Sequence, residues 1–284
     1  MFPNFSPRAL GIELSFDESV KLARRFHYGG IDVSIAELQQ IAAQRGISAI
    51  SEQMASAGLR FGAWSMPVAY AAGEDSWRQA LSELPAQAQL AASLGADRTS
   101  TPVSPISDER AWDENYRFHL ERLGPIAESL AAHGIRFGLE WIGPKTLRDG
   151  ARYSFIHTME DMLQLAADLG DNVGLLVDIF HLFTSHTDVS AVRGLTNAQV
   201  VNVHVNDAVA GRSADEQMDL ERALPAETGL TDVAGFLQAL DAIGYDGPVT
   251  VEPFSQRVRA LAPAGAAQAA ADSLALSWQL AGLQ

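Results

Sequence analysis

The chain has 284 residues, 47% of them hydrophobic and 19% charged, with a net charge of −15 and no cysteine. That length suits one α/β barrel and buries roughly three-quarters of the unfolded surface. The composition excludes a disordered chain, and the acidic balance disfavours a nucleic-acid partner. The absent cysteines exclude disulfides and thiolate chemistry. No apolar run reaches the ~18 residues of a membrane helix, and MFPNFSPRAL has no secretory pattern. A cytoplasmic location is therefore expected.

Strand-like and helical segments alternate along the chain. Strands are expected near 9–15 (ALGIELS), 30–34, 59–66, 97–103, 135–142, 173–180, 200–207 and 248–254. Helical periodicity covers 17–28, 35–57, 76–94, 112–133, 158–169, 232–243 and 266–282, with a short, weak helix near 188–194. Asp17, Thr158 and Thr231 stand as N-cap candidates. Gly46, Gly58, Gly95, Gly134, Gly170 and Gly244 follow helices, where a left-handed residue is wanted. The seventh connection carries a long loop, 208–228. Eight such units point to a single-domain (β/α)8 TIM barrel spanning 1–284. An open doubly wound sheet is the alternative, but no glycine-rich phosphate turn follows GIELS.

Four of the later strands end on metal-binding side chains: Glu140, Asp178, His204 and Glu252. Alternation assigns Phe137, Leu139 and Trp141, then Leu175 and Val177, then Val201, Val203 and Val205, then Val249 and Val251 to the helix-facing outside. The four polar residues then share the interior, at the mouth where barrel active sites sit. Buried carboxylates cost several kcal/mol each unless paired or metallated. Three beside one histidine want a cation. The oxygen-rich set suits Mn²⁺ first, with Mg²⁺, Co²⁺ or Zn²⁺ as alternatives.

GLEWIGP (138–144), VGLLVDIFH (173–181), VVNVHVNDA (200–208), RALPAETG (222–229) and GYDGPVTVEPF (244–254) resemble the sugar phosphate isomerase/epimerase superfamily. This is a xylose isomerase-like barrel group that includes inosose isomerases and ketose 3-epimerases. The resemblance implies one divalent metal on Glu140, Asp178, His204 and Glu252, with Glu140 and Glu252 doubling as the catalytic acid/base pair. It implies His181 as a residue that either supports a metal ligand or binds substrate, and Glu227 as a substrate-binding residue; Arg222, in the same loop, is a further candidate. Trp64 and Trp141 are candidates for the floor of a sugar pocket. Ala226 stands where the family loop has glycine. Endonuclease IV, a distant relative with three zincs, needs histidines at the third and fourth strand ends. This chain has Trp64-Ser65-Met66-Pro67 and Thr99-Ser100-Thr101-Pro102 there.

The expected function is a metal-dependent isomerase or epimerase of a small sugar, keto-sugar or inosose, working through a cis-enediolate. A lyase expelling the aglycone of a 3-keto-glycoside is the alternative, and a non-catalytic sugar-binding barrel is a third. The partner is a small carbohydrate, and a homo-oligomer is compatible with the family. Asp207 is open between supporting the ligand histidine and capping the loop. His27, His119, His133 and His186 read as surface or helix-end residues.

Overall fold

A computed structural model describes residues 1–283. Eight parallel strands close into a barrel: β1 (Phe2–Phe5), β2 (Gly30–Val33), β3 (Arg60–Ser65), β4 (Arg98–Val103), β5 (Arg136–Trp141), β6 (Val173–Asp178), β7 (Val200–Val205) and β8 (Pro248–Val251). Each pairs with its neighbours in sequence, and β1 closes the ring on β8 with Phe2 opposite Pro248. The main outer helices are α1 (Phe16–Arg25), α2 (Ile35–Arg45), α3 (Ile47–Ala57), α4 (Glu74–Leu94), α5 (Trp112–Ala131), α6 (Met159–Leu169), α7 (Ile179–Thr184), α8 (Val233–Ala242) and α9 (Pro263–Ala281). No helix is long and apolar enough to cross a membrane among the described residues.

The first strand is not at 9–15. It is FPNF, and the expected segment is instead a loop, turned at Gly11 (φ +71°) with Ile12 N donating to Pro7 O. Leu10 and Ile12 are buried without being in a strand, so the alternation there reflects a loop lying on the core. Pro3 disguises the true strand, because proline removes a ladder donor.

Helix boundaries differ where caps decide them. The 35–57 segment is two helices broken at Gly46, whose φ is +83°. Ser15, not Asp17, caps α1, forming a capping box with Glu18. Asp232 rather than Thr231 caps α8, and Thr158 caps α6 as expected. The sixth strand stops at Asp178, whose carboxylate caps α7 by accepting from Phe180 N at 2.7 Å. The weak helix near 188–194 is a 3₁₀ turn, Val189–Gly194.

The helix-facing residues Phe137, Leu139, Trp141, Leu175, Val177, Val203, Val205 and Val249 are fully buried between barrel and helices. Among these later strands parity breaks at one place. A register shift between β6 and β7 follows Leu175. Val201 therefore lies inside, close beside Gly138 and Gly174, where an added Cβ would crowd its side chain. His119 is not at the surface either: it is 3% exposed within α5 and stacks on Phe155 with ring centroids 4.7 Å apart.

Candidate metal centre

The strand register assembles the site. Asp178 lies opposite His204 across β6 and β7, and His204 lies opposite Thr250 on β8. Glu252 N donates to Val205 O, extending that ladder by one step. One ligand atom each from Glu140, Asp178, His204 and Glu252 falls within 4.8 Å of the others. His204 Nδ1 is 3.3 Å from Glu252 Oε2 and 3.8 Å from both Glu140 Oε1 and Asp178 Oδ2.

The donor set fits a divalent cation. Glu140 Oε1 and His204 Nδ1 are buried with no hydrogen-bond partner, and such orphans are costly unless something converges on them. Asp178 is also held from behind. Asp178 receives Asn206 Nδ2 at 2.9 Å, Phe180 N at 2.7 Å and Arg222 Nη1 at 2.7 Å.

Charge is distributed unequally. Burial, then the neighbouring Glu252 carboxylate, holds the Glu140 carboxyl well above its usual range. Burial pushes Glu252 the same way, but His204 and Arg222 outweigh it and the result is a lowered pKa. For His204, burial opposes the charge, yet Glu252, Glu140 and Asp178 raise its pKa to about 10. Two carboxyls with opposed shifts in one cleft are the pattern of an acid/base pair.

Arg222 enters the centre from the long seventh loop. Its Nη1 also donates to Glu252 Oε2 at 3.1 Å, and its Nη2 to Asp219 Oδ1 at 3.1 Å. The guanidinium lies between the rings of Phe180 and Phe254, 4.6 and 4.7 Å from their centroids. His181 is fully buried beside it. Gly143 N–H donates to its Nδ1 at 3.2 Å, and its Nε2 lies 3.3 Å from Arg222 Nη2 and 3.7 Å from Glu140 Oε1. Burial and then Arg222 lower the His181 pKa to about 3, so the ring is neutral.

The centre opens into a cleft of about 800 Å³. Trp64 lines it, with its indole N–H given to Ala96 O at 3.0 Å. Trp141 lies outside it, its indole donating to His181 O. Glu227 is placed elsewhere: both its oxygens are 2.7 Å from Arg257 Nη2, and it is not part of the cleft lining. A glutamate in a loop motif carries no face information, and Arg257 is the cation within its reach.

Asp207 organises the loop. Its carboxylate accepts from the backbone N–H of Ala208, Thr228, Gly229 and Thr231, and from the Thr231 hydroxyl. Ala226 takes φ +60°, the left-handed region in which glycine is free.

Two groups escaped the sequence reading. Asn206 matched the family's spacing after His204 but was given no role. Asp32, on β2, lines the cleft with Oδ1 accepting from Asn4 Nδ2 at 2.7 Å and Ala63 N at 2.8 Å. Burial raises its pKa, and the bonds from Ala63, Ser6 and Asn4 partly offset that.

A family model, the xylose isomerase-like TIM barrel, matches residues 9–276. The chain belongs to this family. Within the xylose isomerase-like barrels, its curated relatives include an inosose isomerase of Bacillus velezensis, 23% identical over 186 residues, covering 64% of this chain and 62% of that protein. A 3-dehydroshikimate dehydratase of Pseudomonas putida is 34% identical over 153 residues, 52% of this chain and 24% of that protein. A second, of Pseudomonas aeruginosa, is 30% identical over 139 residues, 49% of this chain and 21% of that protein. The chain thus spans under two-thirds of the length of each of these relatives. Among solved structures, a xylose isomerase domain protein from Alicyclobacillus acidocaldarius aligns over 99% of both chains with a TM-score of 0.87 and 28% identity. The IOLI protein with a bound zinc atom covers 99% of this chain and 98% of its own, with a TM-score of 0.79 and 17% identity, a likeness of fold.

Proposed function

We propose that this chain is a divalent-metal-dependent isomerase or epimerase of a small sugar, keto-sugar or inosose. The observation that carries the reading is the pair Glu140 and Glu252, set in one cluster with Asp178 and His204 and shifted in opposite directions. Glu140, Asp178, His204 and Glu252 would hold the ion, Mn²⁺ by preference on an oxygen-rich donor set. When bound, it supplies Lewis-acid polarisation of a substrate carbonyl.

The protein's own groups handle the proton. Glu252 is kept ionised by His204 and Arg222, so it is the base that takes a proton from the carbon beside the carbonyl. The C–H electron pair forms a carbon–carbon double bond as the carbonyl π pair moves onto its oxygen, giving a cis-enediolate. Glu140, whose carboxyl favours the protonated form, returns a proton. Delivery to the opposite face of the same carbon epimerises; delivery to the adjacent carbon isomerises. His181 and Trp64 meet the substrate in the cleft, and Arg222 holds Asp178 and Glu252 in position. Glu227 is left outside this scheme by its pairing with Arg257.

The deciding experiment incubates Mn²⁺-loaded protein with inososes and keto-sugars in D₂O and follows deuterium at carbon by NMR. Deuterium uptake with unchanged substrate skeleton supports the reading; no uptake from any member of the panel removes it.

Elimination is the second reading, favoured by the two dehydratase relatives. It shares the first proton abstraction and then expels a β-leaving group, water or an aglycone. A product of lower mass separates it from isomerisation.

A further inference from the structure

Asp32 is a carboxylate that the chemistry above does not use. It lies on β2, which stands opposite β6 and its Asp178 in the eight-stranded ring. It faces the same cleft as Glu140, His204 and Glu252. Among the described residues no lysine, arginine or histidine forms an ion pair with it. A carboxylate held in a barrel without a cation is expensive.

The barrel is built to keep it there. Asn4 on β1 links Asp32 to Thr250 on β8, donating to Asp32 Oδ1 at 2.7 Å and to Thr250 Oγ1 at 2.9 Å. Thr250 precedes Glu252 by two residues, so this polar chain joins β2 to the strand that leads into Glu252. Gly62 gives up its side chain for the pair, since a Cβ there would collide with both Asp32 Oδ1 and the Asn4 amide. The Asn4 amide and the Ala63 N–H both go to Oδ1, and Ser6 adds a third bond. A carboxylate accepts at about four sites, so capacity remains for a hydroxyl presented from the cleft.

We infer that Asp32 is a substrate-contacting residue, the second polar pole of the cleft, which accepts a distal hydroxyl of a polyhydroxylated substrate whose carbonyl end is held at Glu140, Asp178, His204 and Glu252. The inference rests on the carbonyl-compound reading above and narrows its substrate class. A compound with a single chelating pair of oxygens and an otherwise bare ring leaves Asp32 unsatisfied and binds weakly. One with hydroxyls around the ring or along the chain spans both poles.

The test uses two non-reacting probes on the Mn²⁺-loaded full chain, myo-inositol and cis-1,2-cyclohexanediol, measured by isothermal titration. Both carry a vicinal diol; only myo-inositol has hydroxyls that reach β2. The wild type is expected to bind myo-inositol about tenfold or more tightly than the diol, as a hydrogen bond to a charged group implies. Asp32→Asn keeps an oxygen for Asn4 and Ala63 but loses the charge. It is expected to lose most of that preference while its affinity for the diol stays the same, which also reports an intact fold and loaded metal. The inference is overturned by an undiminished preference in Asp32→Asn, by parallel loss of both probes, or by a wild type that does not distinguish them. Neither probe has a carbonyl, so these outcomes are independent of deuterium uptake from keto-sugars, on which the isomerase reading stands.

Discussion

Arg222 donates to Asp178 Oδ2 at 2.7 Å, and both side chains are essentially inaccessible to solvent. The same guanidinium nitrogen reaches Glu252 Oε2. Deleting it leaves buried carboxylates facing one another with only His204 between them, a defect that costs about 3–5 kcal/mol. Arg222→Ala is expected to lose stability of that order in urea unfolding of the metal-free protein. Saturating Mn²⁺ should return part of the loss, because a cation bound at these carboxylates supplies the missing charge. Equal loss with and without Mn²⁺ contradicts this.

Metal loading should expel protons. The carboxylates around His204 raise its pKa to about 10 against the opposing effect of burial, so its imidazole is protonated at neutral pH. A metal takes the neutral ring. Glu140 is also shifted toward its protonated form. Because both pKa values are raised, protons compete with the metal below them, and affinity must climb as pH rises through the neutral range. The slope is about tenfold per pH unit for each proton released. Calorimetric titration with Mn²⁺ in buffers of different ionisation enthalpy counts the protons; zero release contradicts the charge assignment.

Asp207 holds the seventh loop by four backbone amides and the Thr231 hydroxyl. Hydrogen bonds to a charged group contribute about 1.5–3 kcal/mol each in isolation, with strong non-additivity. Asp207→Ala should free the 208–231 segment and withdraw Arg222 from the centre. Faster amide exchange at Thr228, Gly229 and Thr231, with protection kept in β5 and β6, is the expected signature. Uniform loss of protection would mean a global effect instead.

The convergence of the four candidate ligands was legible because side chains alternate along a strand and polar groups at strand ends stand out from it. Glu140, Asp178, His204 and Glu252 needed only parity and the barrel's common mouth. The first strand was not legible: Pro3 argues against a ladder, while the loop Leu10-Gly11-Ile12 imitates alternation by packing on the core. Val201 shows the limit of parity, since a register shift is invisible in one strand read alone. Asp32 was hidden because its partners, Asn4, Ala63 and Thr250, are distant in sequence and meet only on closure. Glu227 shows the opposite failing: a motif names a residue without saying which way it faces.

Ala226 sits at φ +60°. A left-handed backbone costs an L-residue roughly 1–2 kcal/mol relative to glycine, while glycine adds about 0.5–1 kcal/mol of unfolded-state entropy. Ala226→Gly should therefore stabilise the fold by about 0.5 kcal/mol, read as a raised urea midpoint at constant slope. A lowered midpoint would mean that the methyl group makes a contact worth more than the strain.

Glu252→Gln separates holding the substrate from moving the proton. The amide keeps the shape and can still accept from Arg222 through its oxygen, but it cannot take a proton from carbon. Loss of a positioned general base lowers rate by about 10²–10⁴-fold. The variant should keep its fold by circular dichroism and lose deuterium exchange at the substrate carbon by at least that factor. Metal content must be matched between proteins, because the substitution also removes a ligand charge. Glu140→Gln tests the partner: with Glu252 intact, the proton can still leave but is not returned by Glu140. Epimerised product should therefore fall further than deuterium washed into recovered substrate. Normal exchange in Glu252→Gln at full metal occupancy would remove Glu252 from proton transfer and leave it as a ligand alone.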